Sequence, residues 1–312
     1  MKKIRVGITG ASGLLGKKVF DYFIAKGADI SVLTRESRKI YNYNQVKIYN
    51  VDLNTPDLVK IKSFVTDLDI LFHLASELRD ESKMRAINYE GTKILADMIN
   101  GKRTLLIYVS SIGVFDFSKS EVINERSPKY QINFYEKTKL LSEEYLFKLR
   151  QGNKLNFIIL RPSIIFDLDM KSKIIDNFVF LNYYKIGLNI PKSVVLNFIQ
   201  SKDVVSALIK LSQQKRAVGK AFNLSTNISL KLFAVEIEKI IGGKVYYRIP
   251  HTLLLMFIKL NILLTGKRKF ISLKSFFSSF SKVSSEKIQN SIDLKIDDNY
   301  SEFLKSYIEQ ER

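Results

Sequence analysis

Apolar and polar positions along the chain follow two alternating periods. Compact runs rich in Ile, Val, Leu and Phe, typical of strands buried on both faces, fall at 3–9, 29–34, 46–51, 69–74, 104–110, 156–161 and 220–224. Between them, apolar residues recur every three to four positions near 14–26, 56–65, 83–100, 133–150 and 203–213, which predicts amphipathic helices. Strand and helix in alternation is the pattern of βαβ units, with parallel strands and helices on both faces. The expected fold is therefore α/β, a doubly wound parallel sheet. After Arg161-Pro162 the pattern loosens into irregular turns before helix and strand return.

Composition narrows the chemistry. The 312 residues are 46% hydrophobic, enough for a large core. With no cysteine there is neither a disulfide nor a thiolate metal site, and with only His73 and His251 no metal centre is expected. Met1-Lys2-Lys3 runs straight into the strand-like Ile4 to Ile8, leaving no room for a signal peptide's apolar core, so a cytoplasmic location is expected. The net charge of +19 could serve nucleic acid, an anionic membrane surface or a charged small molecule. Its lysines are dispersed among Ile, Asn and Tyr, so no nucleic-acid partner is expected. The segment 252–265 is the most apolar in the chain and is followed by Lys267-Arg268-Lys269. It is too short to span a bilayer. A packing helix is the simpler reading, and peripheral membrane contact through 252–269 is the alternative.

The first strand ends in Thr9-Gly10-Ala11-Ser12-Gly13-Leu14-Leu15-Gly16, and a helix opens at once. Glycines at such a turn let backbone amides approach a pyrophosphate, and the helix N-terminus adds oriented N–H groups and partial positive charge. The strand-turn-helix setting makes this a dinucleotide site of Rossmann type. Where NAD-binding relatives carry an acid at the end of the second strand, this chain has Thr34-Arg35. Arg35, helped by Arg38, can pair with a 2′-phosphate that a carboxylate would repel, so NADP(H) is favoured and NAD(H) left open. Asp52-Leu53 is placed to meet the adenine, and Leu74, Ala75 and Ser76 let the cofactor pass close to the sheet edge. His73 reads as a packed histidine rather than an acid or base.

Tyr135 and Lys139 stand four apart on one helix face, a phenol beside a cation expected to lower its pKa. The spacing alone decides nothing, because Tyr22/Lys26, Tyr43/Lys47 and Tyr89/Lys93 share it. What sets Tyr135 apart is that its helix follows the fifth strand, whose end delivers Ser110-Ser111 to the ligand-binding edge of a parallel sheet. Phenol, cation and hydroxyl can then converge on one substrate oxygen.

These pieces together, in order over nearly the whole chain, resemble the extended short-chain dehydrogenase/reductase superfamily, the NAD-dependent epimerase/dehydratase family. Gly10 to Gly16 looks like its cofactor turn, Asp52-Leu53 like its adenine contact, and Phe72-His73-Leu74-Ala75 like its fourth-strand signature. Asn88-Tyr89-Glu90-Gly91-Thr92 is similar to its active-site helix and Ser110 to Phe115 to its serine segment. The resemblance implies catalysis by Ser111, Tyr135 and Lys139. It implies cofactor contacts from Gly10, Ser12, Gly13, Leu14, Leu15, Gly16, Arg35, Arg38, Asp52, Leu53, Leu74, Ala75, Ser76, Asn88, Tyr135, Lys139 and Pro162. Asn177-Phe178 resembles a nucleotide-contacting pair, and Ser110 lies beside the catalytic serine. The family's glycine after Arg161-Pro162 is replaced by Phe166-Asp167-Leu168, and the arginine before the Lys202-Asp203 segment is missing, so Lys192 or Arg268 is expected to meet a diphosphate.

The implied architecture is a Rossmann domain at 1–165, completed by 196–225, with a smaller C-terminal substrate-binding subdomain from 166–195 and 226–312. The tail is most similar to enzymes of surface-polysaccharide biosynthesis that act on UDP-linked N-acetyl amino sugars. The implied activity is NADPH-dependent reduction of a 4-keto nucleotide-sugar by a homodimer joined through helices 83–100 and 133–150. Three alternatives stay open: a 4-epimerase with the same site, a hydroxysteroid or small-ketone reductase, and a non-catalytic dinucleotide-binding regulator.

Overall fold

The computed structural model describes residues 3–35, 45–152, 154–242, 245–265 and 279–311. Arg38 and Arg268 lie outside the described residues, so the expectations resting on them do too.

Five strands open the chain: β1 (Arg5–Thr9), β2 (Asp29–Thr34), β3 (Val46–Asn50), β4 (Ile70–His73) and β5 (Leu105–Val109). They are followed by the two-residue β6 (Val122–Ile123), β7 (Asn156–Pro162), β8 (Ile164–Phe166), β9 (Ile186–Asn189), β10 (Val195–Gln200) and β11 (Lys220–Leu224). Seven of these form one parallel sheet in the order β11-β7-β5-β4-β1-β2-β3, and they are the seven runs that the hydrophobic pattern marks. The order reverses between β1 and β4, the switch point at which open α/β sheets hold their ligands.

Helices cover both faces of the sheet. On one side α1 (Leu14–Ala25) packs with a helix at Ser201–Ser212 over Val6, Ile8, Phe72 and Ile158. On the other, α2 (Leu58–Phe64) and the helices at Gly91–Ile99 and Phe134–Arg150 close over Leu71, Leu106, Tyr108 and Phe157. The helix predicted over 83–100 begins as α3 (Glu81–Met84), widens into a π-helical stretch Arg85–Glu90, and resumes as α4 (Gly91–Ile99). In that stretch the Gly91 amide reaches back five residues to the Ala86 carbonyl, and the Asn88 carbonyl is taken by the hydroxyls of Thr92 (2.6 Å) and Ser142 (2.9 Å). Side-chain hydroxyls thus satisfy a carbonyl in the widened turn.

Beyond β7 the chain builds a second, smaller core. β8 and β10 pair in parallel, and β12 (Thr226–Ser229) adds antiparallel to β10. Phe166, Phe198 and Phe233 stack beneath them, with ring centroids 5.3 to 6.5 Å apart. α5 (Phe134–Arg150), α6 (Lys173–Tyr183), α7 (Ser201–Ser212), α8 (Leu230–Ile241), β13 (Tyr247–Pro250), α9 (His251–Thr265) and a final helix Tyr300–Gln310 complete the described elements that matter below. Among the described residues no helix is long and apolar enough to cross a membrane.

Candidate active site

The glycine turn is shaped by what it excludes. Gly10 sits at φ +72°, and a Cβ there would lie 2.7 Å from the Ala75 amide nitrogen. A Cβ on Gly16 would collide with the Gly10 carbonyl, so strand, turn and helix approach as closely as backbone permits. The turn is closed by the Gly13 amide donating to the Gly10 carbonyl at 2.9 Å.

A cleft opens along the C-terminal ends of β1, β2 and β4. Of the residues expected to meet a cofactor, Gly10, Ser12, Gly13, Arg35, Asp52, Leu53, Leu74, Ala75 and Ser76 line it. Leu14, Leu15, Gly16, Asn88, Tyr135, Lys139 and Pro162 do not. Leu33, Thr34, Val51, Glu77 and Ile87 also line it, and these the sequence reading missed. A cleft lined by a glycine turn that leads directly into the N-terminus of α1 fits a dinucleotide, so these residues could hold one.

Glu77 changes the electrostatics of the cleft. Its Oε1 accepts from the amides of Leu78, Arg79 and Asp80 at 3.0, 2.8 and 3.1 Å, which hold the carboxyl below the usual range, with Arg35 adding to the effect. Arg35 therefore faces a fixed negative charge.

Behind the cleft, Asn88 is buried and fully used. Its Oδ1 accepts from the Ser76 hydroxyl (3.1 Å) and Glu77 amide (2.7 Å), and its Nδ2 donates to the Glu77 carbonyl (3.0 Å) and Thr138 hydroxyl (3.1 Å). It ties the loop after β4 to α5. His73 is buried too, bonded to Thr9 Oγ1 at 2.7 Å and Thr92 Oγ1 at 2.9 Å and stacked on Tyr108. Burial, with Lys139 adding to it, pulls its pKa down to about 3, so it is a neutral packed histidine, as expected.

Asn133 starts α5 by accepting from the Glu136 amide at 2.9 Å, while Glu136 accepts from the Ile132 amide at 3.0 Å. This fixes Tyr135 in the first turn and Lys139 one turn on. Lys139 Nζ lies 5.7 Å from the Tyr135 ring centre, 4.8 Å from that of Tyr108, and donates to the Val109 carbonyl at 2.8 Å. Ser111, two residues past Val109, caps a short 3-10 turn at Ile112–Val114 by accepting from the Gly113 amide at 3.0 Å. That turn packs on α5: a Cβ on Gly113 would sit 2.8 Å from Glu136 Cδ. β5 and α5 thus bring Lys139 against Tyr135 and onto the end of β5, two residues before Ser111.

The titration of the pair departs from the sequence reasoning. Burial raises the Tyr135 hydroxyl to about 12, with the Ser76 hydroxyl opposing, and burial lowers the Lys139 ammonium to about 7, with Glu143 opposing. In this structure desolvation, which disfavours both charged forms, outweighs the cation's pull on the phenol.

The residues expected at the substrate are spread out. Ser110 is buried at the end of β5, Phe178 packs in the small core against Phe233 at 6.1 Å, and Asn177 and Lys192 are exposed. Asp167, standing for the missing glycine, is buried beside Ser201 and 3.2 Å from Lys18 of α1.

Residues 6–225 match the model of the NAD dependent epimerase/dehydratase family. The chain belongs to this family, whose members are NAD(P)-dependent enzymes. It is 25% identical to the dTDP-D-glucose 4,6-dehydratase of Mus musculus over 256 residues, 76% of this chain and 72% of that protein. Its fold matches a short-chain dehydrogenase/reductase superfamily protein from Agrobacterium tumefaciens with bound NAD at TM-score 0.76 and 16% identity, covering 99% of this chain and 97% of the other. A UDP-glucose 4-epimerase of Thermotoga maritima with UDP-glucose matches at TM-score 0.72 and 17% identity, over 99% of both chains. The Rossmann-type sheet and the oxidoreductase class expected from sequence are therefore those of the protein.

Proposed function

We propose that the enzyme reduces a 4-keto nucleotide-sugar, a UDP-linked N-acetyl amino sugar of surface-polysaccharide biosynthesis, with NADPH. The observation that carries the reading is that Lys139 meets Tyr135 at the end of β5, close to Ser111 in the chain, while the Tyr135 hydroxyl faces Ser76 of the cleft. NADPH held along Gly10, Ser12, Gly13 and Arg35 would supply the hydride for the sugar's C4. Tyr135 donates its proton to the C4 oxygen, Ser111 orients that oxygen, and the Lys139 ammonium steadies the phenol's charge as the proton leaves. A phenol raised by burial to about 12 stays protonated at neutral pH, the form that a reductase needs as its acid. NADPH is favoured by Arg35 in the cleft and by Thr34 where an acid would stand.

The decisive experiment follows NADPH and NADH oxidation by the purified protein across UDP-4-keto sugars, with a panel of steroid ketones alongside. NADPH-linked reduction of a keto sugar that disappears in Tyr135→Phe supports the reading. Interconversion of 4-epimers without net cofactor oxidation, or turnover intact in Tyr135→Phe, overturns it. The homodimer through helices 83–100 and 133–150 belongs to the same proposal and is checked by sedimentation equilibrium.

A further inference from the structure

Helix α9 is apolar on both of its sides. Leu254 and Leu255 pack into the small core, while Leu253, Met256 and Leu260 on its outer side are 53%, 65% and 52% exposed. Just before it, the amides of Tyr246 and Tyr247 donate to the Lys185 carbonyl at 3.0 and 3.2 Å, which sets both rings beside the end of α6. There Tyr183 and Tyr184 stand out into solvent, with Phe180 4.7 Å from the Tyr184 ring. Scattered apolar residues on a surface are ordinary, but exposed rings and aliphatic chains that recur at the end of α6, on the strand beside it and on α9 directly after mark a surface that something covers.

We propose that this face docks on a bilayer containing anionic phospholipid, independently of which ketone the active site reduces. Charge selects the occupant. From Gly242 to Ser285 the sequence holds eight Lys and Arg and no Asp or Glu; of these Lys259 is exposed on α9, while Arg248 is paired with Glu238 at 2.8 Å. A second copy of the chain would bring the same positive charge against itself, whereas an anionic leaflet neutralises it. The tyrosines suit the same occupant, because an amphipathic ring rests at headgroup level with its hydroxyl in water. At roughly 22 Å, α9 is too short to cross the hydrocarbon and instead lies in the interface plane, where Lys259 can extend to the headgroups.

The chain contains no tryptophan, so one introduced residue reports alone. Full-length Met256→Trp is mixed with vesicles of phosphatidylcholine, with or without about a third phosphatidylglycerol. Its emission is expected to shift to the blue and be quenched by brominated acyl chains on anionic vesicles only. The effect should fade at about 0.5 M salt, which screens charge within a few ångströms. Val59→Trp, on the exposed side of α2, should show neither change. Emission indifferent to anionic vesicles, or a blue shift that grows with protein concentration in the absence of lipid, overturns the proposal, the latter by identifying a second copy as the occupant. Co-sedimentation of the unsubstituted protein needs no variant: pelleting with anionic but not neutral vesicles supports docking, and remaining in the supernatant with both refutes it.

Discussion

Glu143 grips Arg161 through two hydrogen bonds of 2.7 Å at a place where neither side chain is more than 2% exposed. The pair joins α5, which carries Tyr135 and Lys139, to β7 beneath it. Arg161 rests over the Phe115 ring at 5.0 Å, and Lys129 reaches Glu143 at 3.2 Å from the rim. Removing one partner of a buried pair strands the other, at a cost of about 3–5 kcal/mol. Glu143→Gln is expected to lower stability to urea by about that amount, and joint replacement by Leu and Met to recover most of it. Because Glu143 also supports the charge on Lys139, the single variant should push that ammonium further down. Equal stability of Glu143→Gln and the parent would refute the account.

The turn offers a second test. Gly16→Ala brings a methyl group into the Gly10 carbonyl, and Gly10→Ala adds a Cβ against Ala75 at a positive φ. Both have to open the β1-to-α1 turn. Affinity for NADPH, read by fluorescence titration, should fall more than tenfold, or about 1.4 kcal/mol, while far-ultraviolet dichroism stays that of an α/β protein. Undiminished affinity in both variants would mean that the cofactor lies elsewhere.

Much of this was legible in the sequence because parallel strands buried on both faces leave continuous apolar runs, and glycine leaves a visible trace where backbones touch. Six of the seven strands of the main sheet and the glycine turn of the cleft were readable this way; the edge strand β3 is half-exposed and was marked by its alternating Val46 and Ile48 positions instead. Glu77 was not, because a carboxylate held by three loop amides has no periodic signature. The π-helical turn at Arg85–Glu90 was hidden for a related reason, since its hydrophobic spacing still reads as an α-helix. The titration of Tyr135 and Lys139 was not legible because burial, the dominant cause, arises only in the folded packing.

Arg35 and Glu77 place two opposed charges in the cleft, and the proposed preference for NADPH can be tested on them. With Arg35→Ala, a 2′-phosphate would meet Glu77 without the arginine that shares the cleft with it. The KM for NADPH is expected to rise by about tenfold or more, as for a lost charge-assisted pair, with little change for NADH. Glu77→Gln should move the ratio the other way. Parallel changes for both cofactors would place Arg35 outside the recognition of the phosphate.

His73 gives the chain an acid sensitivity that can be isolated. The neutral ring, with its Nε2 proton directed to Thr92 Oγ1, leaves Nδ1 to accept from Thr9, whose oxygen in turn accepts from the Leu74 and Ala75 amides at 3.2 and 3.1 Å. Thr92 passes its own proton to the Asn88 carbonyl, so every hydroxyl in the chain of bonds donates once and no site remains for a second ring proton. In the unfolded chain the ring takes up a proton near pH 6.5, and in the folded one not until about 3. Between those values the unfolded state binds the extra proton, so stability falls as pH falls, by up to about 1.4 kcal/mol per unit, and is undisturbed above about 6.5. His73→Leu forfeits the two hydrogen bonds at every pH but carries no such slope. The stability gap between the parent and this variant in urea should therefore be widest at neutral pH and narrow steadily below 6.5. A gap that holds constant from pH 7.5 down to about 5 would mean that the ring already titrates normally in the folded protein.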